Sequence, residues 1–320
     1  MLKKRYGRQE DCVTVAIATE ITFSVIVPVY NSRRTIEACV DSIRTQHFQD
    51  FELIIVDDGS TDNCTDQFAG STDLIVLTKD NQGPGSARNF GARIARGDYL
   101  FFIDSDDLAP RWALSCFAEA LARGDCPAII CGNFVEFCDV APALEYCPPD
   151  IVEYRDYLEA AAAGLYAAGG MVAVRRDIFV EAGGFDEAMK VAEDHDLMLR
   201  LGEQPGFMHI VDPPTYTKRD HPGSISKSLP LAFFGCMALL AQWQSGRYGI
   251  SARARTITRA MVGIHLRAAI LALSRNHMPR RSMELYLRSF GLNARIGRLR
   301  FLLGAPVIIG LGLISARGQR

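Results

Sequence analysis

Short apolar segments alternate with amphipathic segments over the first two thirds of the chain. Continuous apolar runs begin near Phe23, Phe51, Leu74 and Tyr99, and such runs predict strands that are buried on both faces of a sheet. Between these runs, apolar residues recur at helical spacing. Strands that alternate with helices predict right-handed βαβ units, so the expected fold class is α/β with a mainly parallel central sheet.

Single residues within this pattern predict where elements end and how they pack. Pro28 predicts the end of the first strand, because proline has no N–H to donate to a sheet ladder. After the third strand, Ala87, Gly91, Ile94 and Ala95 recur at helical spacing. These small and apolar residues predict a helix that packs closely on the sheet.

The pattern loosens beyond the fourth strand. Residues 154–163 predict a helix, and residues 169–174 predict a further strand. A later helix carries Leu197 and Leu201 on its apolar face, and Asp194 lies on that face near the start of the helix. Acids are common at helix starts because they offset the helix dipole, so the inward position of Asp194 is the informative feature.

Carboxylates follow two of the predicted strands. Asp57 and Asp58 end the second strand, and Asp104, Asp106 and Asp107 end the fourth. Because open α/β sheets bind ligands at the carboxyl ends of their strands, we expect these acids to converge on one edge. The Asp-x-Asp spacing supplies hard oxygen ligands for Mg²⁺ or Mn²⁺. An acidic turn that only ends a strand and caps the next helix explains the same residues.

Charge is distributed unevenly along the chain. The 320 residues are 48% apolar and 22% charged, which is ordinary for a globular protein large enough for one domain and an extension. From residue 241 onward there are 14 arginines, no lysine and one acid, Glu284, for a net charge of +13, whereas the whole chain carries −2. This asymmetry predicts two regions with different partners.

Cysteine usage and the missing glycine motif argue against several kinds of site. The nine cysteines include no Cys-x-x-Cys, which predicts neither a zinc site nor a disulfide framework and favours a reducing compartment. No Gly-x-Gly-x-x-Gly follows the first strand, which argues against a dinucleotide-binding dehydrogenase. Residues 1–20 are interpreted as a tail rather than a signal peptide, because no clear cleavage pattern follows their short apolar run.

Taken in order, these segments resemble the inverting family 2 glycosyltransferases, which have the GT-A fold. The resemblance covers Ser24 to about Ser228, roughly two thirds of the chain. The matching segments are Ser24–Asn31, Ile55–Asp62, Asn81–Gly91, Phe102–Asp107, Gly183–Glu187 and Glu193–Asp196. Together with the charge distribution and the interpretation of residues 1–20, the resemblance predicts a tail at 1–20, a GT-A catalytic domain at 21–230 and an Arg-rich helical C-terminal extension at 231–320.

The resemblance also implies a role for individual residues. Asp106 would bind the Mn²⁺ or Mg²⁺ that spans the donor diphosphate, and Asp194 would be the general base that deprotonates the acceptor hydroxyl. Asp104 would hold the ribose. The residues implied to line the nucleotide pocket are Pro28, Tyr30, Asp57, Asp58, Arg88 and Asp104.

The implied substrates follow from the same resemblance. The donor would be a nucleoside-diphosphate sugar, most commonly a UDP-sugar in this family, and a single sugar would be transferred with inversion. The acceptor would be a hydroxyl of a polysaccharide or a lipid-linked saccharide, bound by the irregular region at 142–170. The protein is expected in the cytoplasm, and a peripheral position on the inner face of the cytoplasmic membrane is a separate hypothesis that depends on the Arg-rich C-terminal region.

Two further segments have more than one interpretation. Arg219-x-His221 is similar to a family segment that follows the base helix, so His221 could contact the metal or the diphosphate, or lie on a solvated turn. Gln244-Ser-Gly-Arg247-Tyr248 approaches the Gln-x-x-Arg-Trp of processive polysaccharide synthases. We interpret that near-match as coincidence and the enzyme as non-processive, because no uninterrupted apolar run is long enough to span a bilayer.

Two other functions compete for the same aspartates. Haloacid-dehalogenase phosphatases also place Asp-x-Asp at a strand tip, but there a Thr or Val follows the second Asp, whereas Asp107 follows here. That function would also leave Asp57 and Asp58 without a role. The other alternative is a non-catalytic scaffold that binds a nucleotide sugar, which the intact set of Asp104, Asp106 and Asp194 argues against.

Residues 251–320 predict helices rich in arginine, with apolar residues between the arginines. Their last apolar run, residues 301–314, is too short and too broken by Pro306 to span a bilayer. One hypothesis is a helical bundle packed on the catalytic domain, its arginines paired with acids there. The hypothesis we prefer is that this region rests on an anionic membrane surface. No recognisable nucleic-acid-binding motif accompanies it, so we expect no nucleic-acid partner.

Overall fold

The computed structural model describes residues 21–124, 126–167, 169–224 and 227–317. The predicted N-terminal tail, residues 1–20, lies outside the described residues.

The centre of the fold is a twisted mixed sheet whose strands run in the order β3-β2-β1-β4-β8-β5-β9-β7, and β6 pairs with β10 in a second, small parallel sheet. The strands are β1 (Phe23–Val29), β2 (Phe51–Asp57), β3 (Ile75–Thr78), β4 (Tyr99–Phe102), β5 (Ile129–Cys131), β6 (Phe134–Phe137), β7 (Asp150–Tyr154), β8 (Val172–Arg175), β9 (Phe207–Asp212) and β10 (Tyr216–Arg219). Only β8 and β7 run against the others in the large sheet. The predicted mainly parallel sheet is therefore confirmed.

Helices cover the faces of this sheet and then continue as a bundle at the C-terminal end. They are α1 (Ile36–Arg44), α2 (Pro84–Ala92), α3 (Ala113–Arg123), α4 (Tyr157–Ala162), α5 (Arg176–Glu181), α6 (Glu193–Arg200), α7 (Leu229–Gln244), α8 (Ala252–Arg275), α9 (Pro279–Arg295) and α10 (Leu299–Arg317).

The first strand continues through Pro28 to Val29, so the prediction that Pro28 ends it is wrong by one residue. The hydrogen-bonding direction explains the difference. Ile26 O accepts from Ile103 N on the β4 side, and Val29 O accepts from Asp58 N on the β2 side. Because this direction alternates along a strand, the Pro28 nitrogen faces the β4 side beyond the last paired residue, where no donor is needed.

The predicted small-residue stripe packs on the sheet along most of its length. Ala87, Gly91 and Ala95 are buried, and a Cβ on Gly91 would lie 2.7 Å from Cγ2 of Ile26. This close approach explains the glycine. Ile94 was predicted wrongly: α2 ends at Ala92, and the Ile94 side chain is 41% exposed.

The chain between 150 and 175 differs from the prediction in its boundaries. Residues 150–154 form the edge strand β7, and the predicted helix starts only at Tyr157, after Asp156. The Asp156 carboxylate accepts from Glu159 N at 2.9 Å and so caps α4. The strand predicted at 169–174 begins at Val172, after one 3₁₀ turn.

The C-terminal helices pack on the catalytic region through one continuous core. Leu240 of α7, Leu266 of α8 and Leu285 of α9 belong to the same buried cluster as Ile26 and Phe102 of the sheet. The predicted boundary at 230 stays a prediction, because no separate core marks it.

Ion pairs reinforce this packing. Arg253 at the start of α8 donates to both carboxylate oxygens of Asp156, at 2.7 and 2.9 Å. The C-terminal helices therefore pack on the catalytic region as the bundle hypothesis expects, and Arg253 forms one of the ion pairs that this hypothesis expects. By length and apolar composition α8 could cross a membrane, but 44% of its apolar window is buried, and a single helix of this kind is weak evidence for a span.

Candidate active site

The acidic strand tips converge as predicted. Strands β1, β2 and β4 are parallel neighbours, so Tyr30, Asp58 and Asp104 follow the same edge of the sheet. Tyr30 is 52% exposed at this edge, where an aromatic face can contact a base. This edge is the candidate nucleotide site.

Asp104, Asp106 and Asp107 form a compact carboxylate cluster in the turn after β4. One oxygen from each lies within 4.8 Å of the other two. Burial, and then the negative charges of Asp104 and Asp106, raise the pKa of Asp107 to about 7. The cluster thus concentrates negative charge and hard oxygen atoms, and both features fit Mg²⁺ or Mn²⁺.

Asp107 is the inward member of this cluster, and the sequence assigned it no role. Its side chain is buried and accepts hydrogen bonds from Arg219 N at 2.6 Å and from the Tyr216 hydroxyl. These bonds tie the turn after β4 to β10. Asp107 therefore positions the turn, while Asp104 and Asp106 stay partly open to solvent.

His221 lies beside Asp106, as the predicted metal role requires. Its Nε2 is 2.9 Å from Asp106 Oδ2, and its Nδ1 accepts from Gly223 N at 3.2 Å. In a neutral imidazole with that acceptor, Nε2 carries the proton and donates it to Asp106. A metal would need the lone pair of Nε2, so this arrangement favours a hydrogen-bonding role, and ligation by His221 stays a prediction.

Asp57 and Asp58 are buried and already bonded within the protein. Asp57 accepts from Ser60 N at 2.8 Å, and Asp58 accepts from Lys79 Nζ at 2.6 Å and from Gly83 N at 2.7 Å. They shape the loops at the sheet edge, and the predicted contact with the base stays a prediction. Pro28 is also buried, inside β1, so its predicted contact with the nucleotide is likewise untested.

Arg88 joins the nucleotide edge to the predicted base helix. From α2 it donates to Asp104 Oδ1 at 2.6 Å and to Glu193 Oε1 at 2.8 Å. Burial lowers the pKa of its guanidinium, but these two carboxylates more than offset that and raise it above its usual value. Arg88 also lies over the Phe185 ring, 5.3 Å from the centroid. Its position fixes Asp104 and the start of α6 relative to each other.

Asp194 lies in the first turn of α6 and faces inward, as predicted. It lines a narrow gap together with Arg88, Phe102 and Phe185, and its Oδ1 accepts from His195 N at 2.7 Å. Burial raises the pKa of Asp194, but the charge and backbone N–H of His195, together with Arg88, hold it below its usual range. Asp194 is therefore ionised at neutral pH and able to accept a proton.

A histidine of the C-terminal helices reaches this base helix. The rings of His195 and His265 are 4.3 Å apart between centroids, although 70 positions separate the two residues in the chain. Burial, followed by the charge of His195, lowers the pKa of His265 to about 4. Sequence analysis missed His265, because nothing local to α8 indicates which helix it will face.

Arg247 and Tyr248 bond to the catalytic region, which gives them a structural role, and the interpretation of their near-match to Gln-x-x-Arg-Trp as coincidence stays a prediction. The Tyr248 hydroxyl donates to Asp196 Oδ1 at 2.7 Å, and Arg247 donates to Asp186. Asp196 is fully buried on α6 and also accepts from Arg200 at 2.8 Å. The segment thus fastens the extension to the base helix. Whether the enzyme is processive stays untested.

Comparison with known proteins gives consistent similarities. Residues 24–182 match the family described as Glycosyl transferase family 2. The chain is 31% identical to an uncharacterized glycosyltransferase of Haemophilus influenzae over 207 residues, which cover 60% of this chain and 67% of that protein. It is 29% identical to the uncharacterized glycosyltransferase EpsJ of Bacillus subtilis over 217 residues, 64% of this chain and 62% of that protein. The chain thus spans about two thirds of the length of these relatives.

The fold is similar to that of S. aureus TarS residues 1–349, solved in complex with UDP. The TM-score is 0.57 at 19% identity, over 86% of this chain and 92% of that one. This likeness confirms the predicted GT-A fold class. The match of residues 24–182 to the family and the similarity to the Haemophilus influenzae protein identify the family as well as the fold. The chain belongs to glycosyl transferase family 2.

Proposed function

We propose that the protein transfers a single sugar from a nucleoside-diphosphate sugar to a hydroxyl of a saccharide acceptor, with a divalent metal and with inversion. The observation that carries this proposal is the continuous polar connection from the carboxylate cluster through Arg88 to the base helix. Arg88 bonds Asp104 on one side and Glu193 on the other, and the adjacent Asp194 lines the gap beside Arg88. The carboxylate cluster and the proposed base, Asp194, are thus linked through one buried arginine.

The residues of this arrangement divide the chemistry between them. Asp106, with His221 beside it, would hold a Mg²⁺ or Mn²⁺ ion, which when bound neutralises charge on the leaving diphosphate. Tyr30 and Asp104 orient the nucleoside at the sheet edge. Asp194 takes the proton of the acceptor hydroxyl as that oxygen attacks the anomeric carbon from the face opposite the leaving group. A single displacement of this kind inverts the configuration.

A UDP-sugar is the donor we favour, because the structurally similar S. aureus TarS was solved with UDP. We propose a polysaccharide or lipid-linked saccharide as acceptor. A cytoplasmic location is part of the same proposal. It agrees with the cysteines, since those in the described residues are all free thiols.

The test begins with ligand binding and continues to turnover. Thermal unfolding of the full chain is measured with UDP, GDP, dTDP or CMP, each with Mn²⁺ and with EDTA. A ligand that binds only the folded state raises the midpoint by mass action, so we expect the largest shift from UDP with Mn²⁺. Release of UDP from UDP-sugars is then followed with and without saccharide acceptors, and the product anomer is assigned by NMR.

The outcomes separate the alternatives. Acceptor-dependent UDP release with an inverted anomer supports the proposal. Nucleotide binding without any turnover would favour the non-catalytic scaffold, and undiminished transfer in EDTA would contradict the metal role. Membership of the family leaves no ground for the phosphatase alternative.

A further inference from the structure

The last helix exposes an apolar stripe to solvent. Leu299, Leu303 and Val307 are 66%, 78% and 63% exposed, and their spacing of four residues places them on one side of α10. The opposite side packs into the bundle, where Leu302 and Ile309 are buried. A helix of a soluble bundle normally turns a polar face to water, whereas α10 between residues 299 and 309 exposes leucine and valine on one side and buries leucine and isoleucine on the other.

The neighbouring helix adds to this surface. Leu287 and Phe290 of α9 are 63% and 47% exposed, and α9 lies against α10 through a hydrogen bond from the Tyr286 hydroxyl to Leu302 O at 2.9 Å. We call Leu287, Phe290, Leu299, Leu303 and Val307 the outer face. Exposed apolar side chains on two helices that pack against each other indicate an interaction site.

The charge around the outer face is positive. Arg288, Arg295 and Arg300 are exposed on the same two helices. Glu284 is the one acid after residue 240, and it pairs with Arg288 at 3.1 Å. Within the described part of the chain, neither Arg295 nor Arg300 forms an ion pair with an acid. Apolar side chains interspersed with unpaired arginines are the composition of a helix that lies on a membrane surface.

We propose that the outer face binds the surface of an anionic lipid bilayer, with its apolar side chains in the interface and Arg295 and Arg300 at the head groups. A second copy of the chain fits less well, because a two-fold interface would set the same arginines against each other. The inference does not depend on the proposed sugar transfer. It also restricts the membrane-binding region expected from the sequence to the outer face, since many apolar residues of the C-terminal helices are buried in the bundle.

The experiment is flotation of the full chain with vesicles of phosphatidylcholine alone or mixed with phosphatidylglycerol. We expect binding to the anionic vesicles and little to the neutral ones. The variant L299S/L303S should bind at least about tenfold more weakly, because two leucines no longer enter the interface. The matched control V140S/V180S changes side chains that are 85% and 63% exposed in the catalytic region, and it should bind like the unmodified chain.

A second pair of variants tests the charge. R295Q/R300Q should weaken anionic binding by about fivefold per arginine and flatten its dependence on salt. R93Q/R111Q removes the same charge from exposed positions of the catalytic region and should have little effect. Since every substituted residue is exposed, unfolding midpoints should stay close to that of the unmodified chain.

The inference is overturned if the full chain fails to float with anionic vesicles at low salt, or if each control pair loses as much binding as its test pair. Sedimentation velocity then measures whether the outer face binds a second copy of the chain. A concentration-dependent dimer that L299S/L303S abolishes, without lipid binding, would assign the outer face to a second copy instead.

Discussion

The sheet edge and the C-terminal bundle use charged residues in different ways. At the sheet edge, Asp104, Asp106 and Asp107 crowd like charges together, and the pKa of Asp107 rises to about 7 as a result of burial and of that crowding. In the bundle, Arg253 is paired with a catalytic-region acid, and other arginines remain exposed. Carboxylates that repel each other in one cluster indicate a ligand site, whereas an ion pair between two elements indicates that those elements pack together. The predictions below test that division.

The largest effect is expected at the sheet edge. Asp106→Ala removes one of the two partly open carboxylates of the cluster, so sugar transfer should fall by about 10³-fold or more, because a preorganised electrostatic contact is lost. The Mn²⁺-dependent part of the nucleotide-induced thermal shift should disappear with it. Asp66→Ala, at an exposed acid away from the cluster, is the control and should behave like the unmodified enzyme. Normal metal-dependent turnover by Asp106→Ala would move the metal site elsewhere.

The next effect concerns proton transfer. Asp194→Asn keeps the shape of the side chain but cannot accept a proton, so transfer should fall by about 10²-fold or more while the donor still binds. Asp177→Asn makes the same change in the first turn of α5 and controls for the loss of a helix-start acid. If Asp194→Asn transferred sugar normally, the base would lie elsewhere, with Glu193 next in line, because Asp196 is fully buried and paired with Arg200.

The contrast between the sheet edge and the C-terminal bundle also explains which features could be predicted from the sequence. The strand tips were predictable because each is local: an apolar run ends directly in acids such as Asp57 or Asp104, and parallel strands must bring these ends to one edge. The inward direction of Asp194 followed from helical spacing. Boundaries at Ala92 and Tyr157 were missed because capping and tertiary packing, rather than pattern, decide where a helix ends.

Contacts between regions could not be predicted from local patterns. Tyr248 bonds Asp196 across 52 positions, and His265 faces His195 across 70. Apolar residues at helical spacing predict that one face of a helix is buried, but they do not indicate which element packs against that face. The near-match at Arg247 and Tyr248 was the one signal available, and it was interpreted through the processive synthases rather than through charge pairing.

The pH dependence of stability tests the contact between the bundle and the base helix. The pKa of His265 is about 4 in the folded protein and about 6.5 when unfolded. Between these values the unfolded chain binds more protons, so folding stability falls as the pH drops from 6.5 towards 4. His265 alone accounts for about 2 kcal/mol of that loss at pH 5.

Urea unfolding at pH 7 and pH 5 measures this loss. His265→Gln should reduce the difference in unfolding free energy between the two pH values by about 2 kcal/mol. His47→Gln, at an exposed histidine, should leave the difference unchanged. The same pH dependence in His265→Gln and in the unmodified chain would mean that His265 is not held neutral against the base helix.

The smallest effect tests whether the bundle is a separate unit or a support for the base helix. Tyr248→Phe removes the hydrogen bond to the buried Asp196, which Arg200 still pairs. The free energy of unfolding should therefore fall by only about 1.5 kcal/mol. Tyr286→Phe also removes a buried hydroxyl bond, but this one joins α9 to a carbonyl of α10 within the bundle. If the bundle supports the base helix, Tyr248→Phe lowers both stability and transfer, whereas Tyr286→Phe lowers stability alone. Equal transfer by the two variants, measured well below their unfolding temperatures, would show that the contact at Asp196 serves docking without positioning α6.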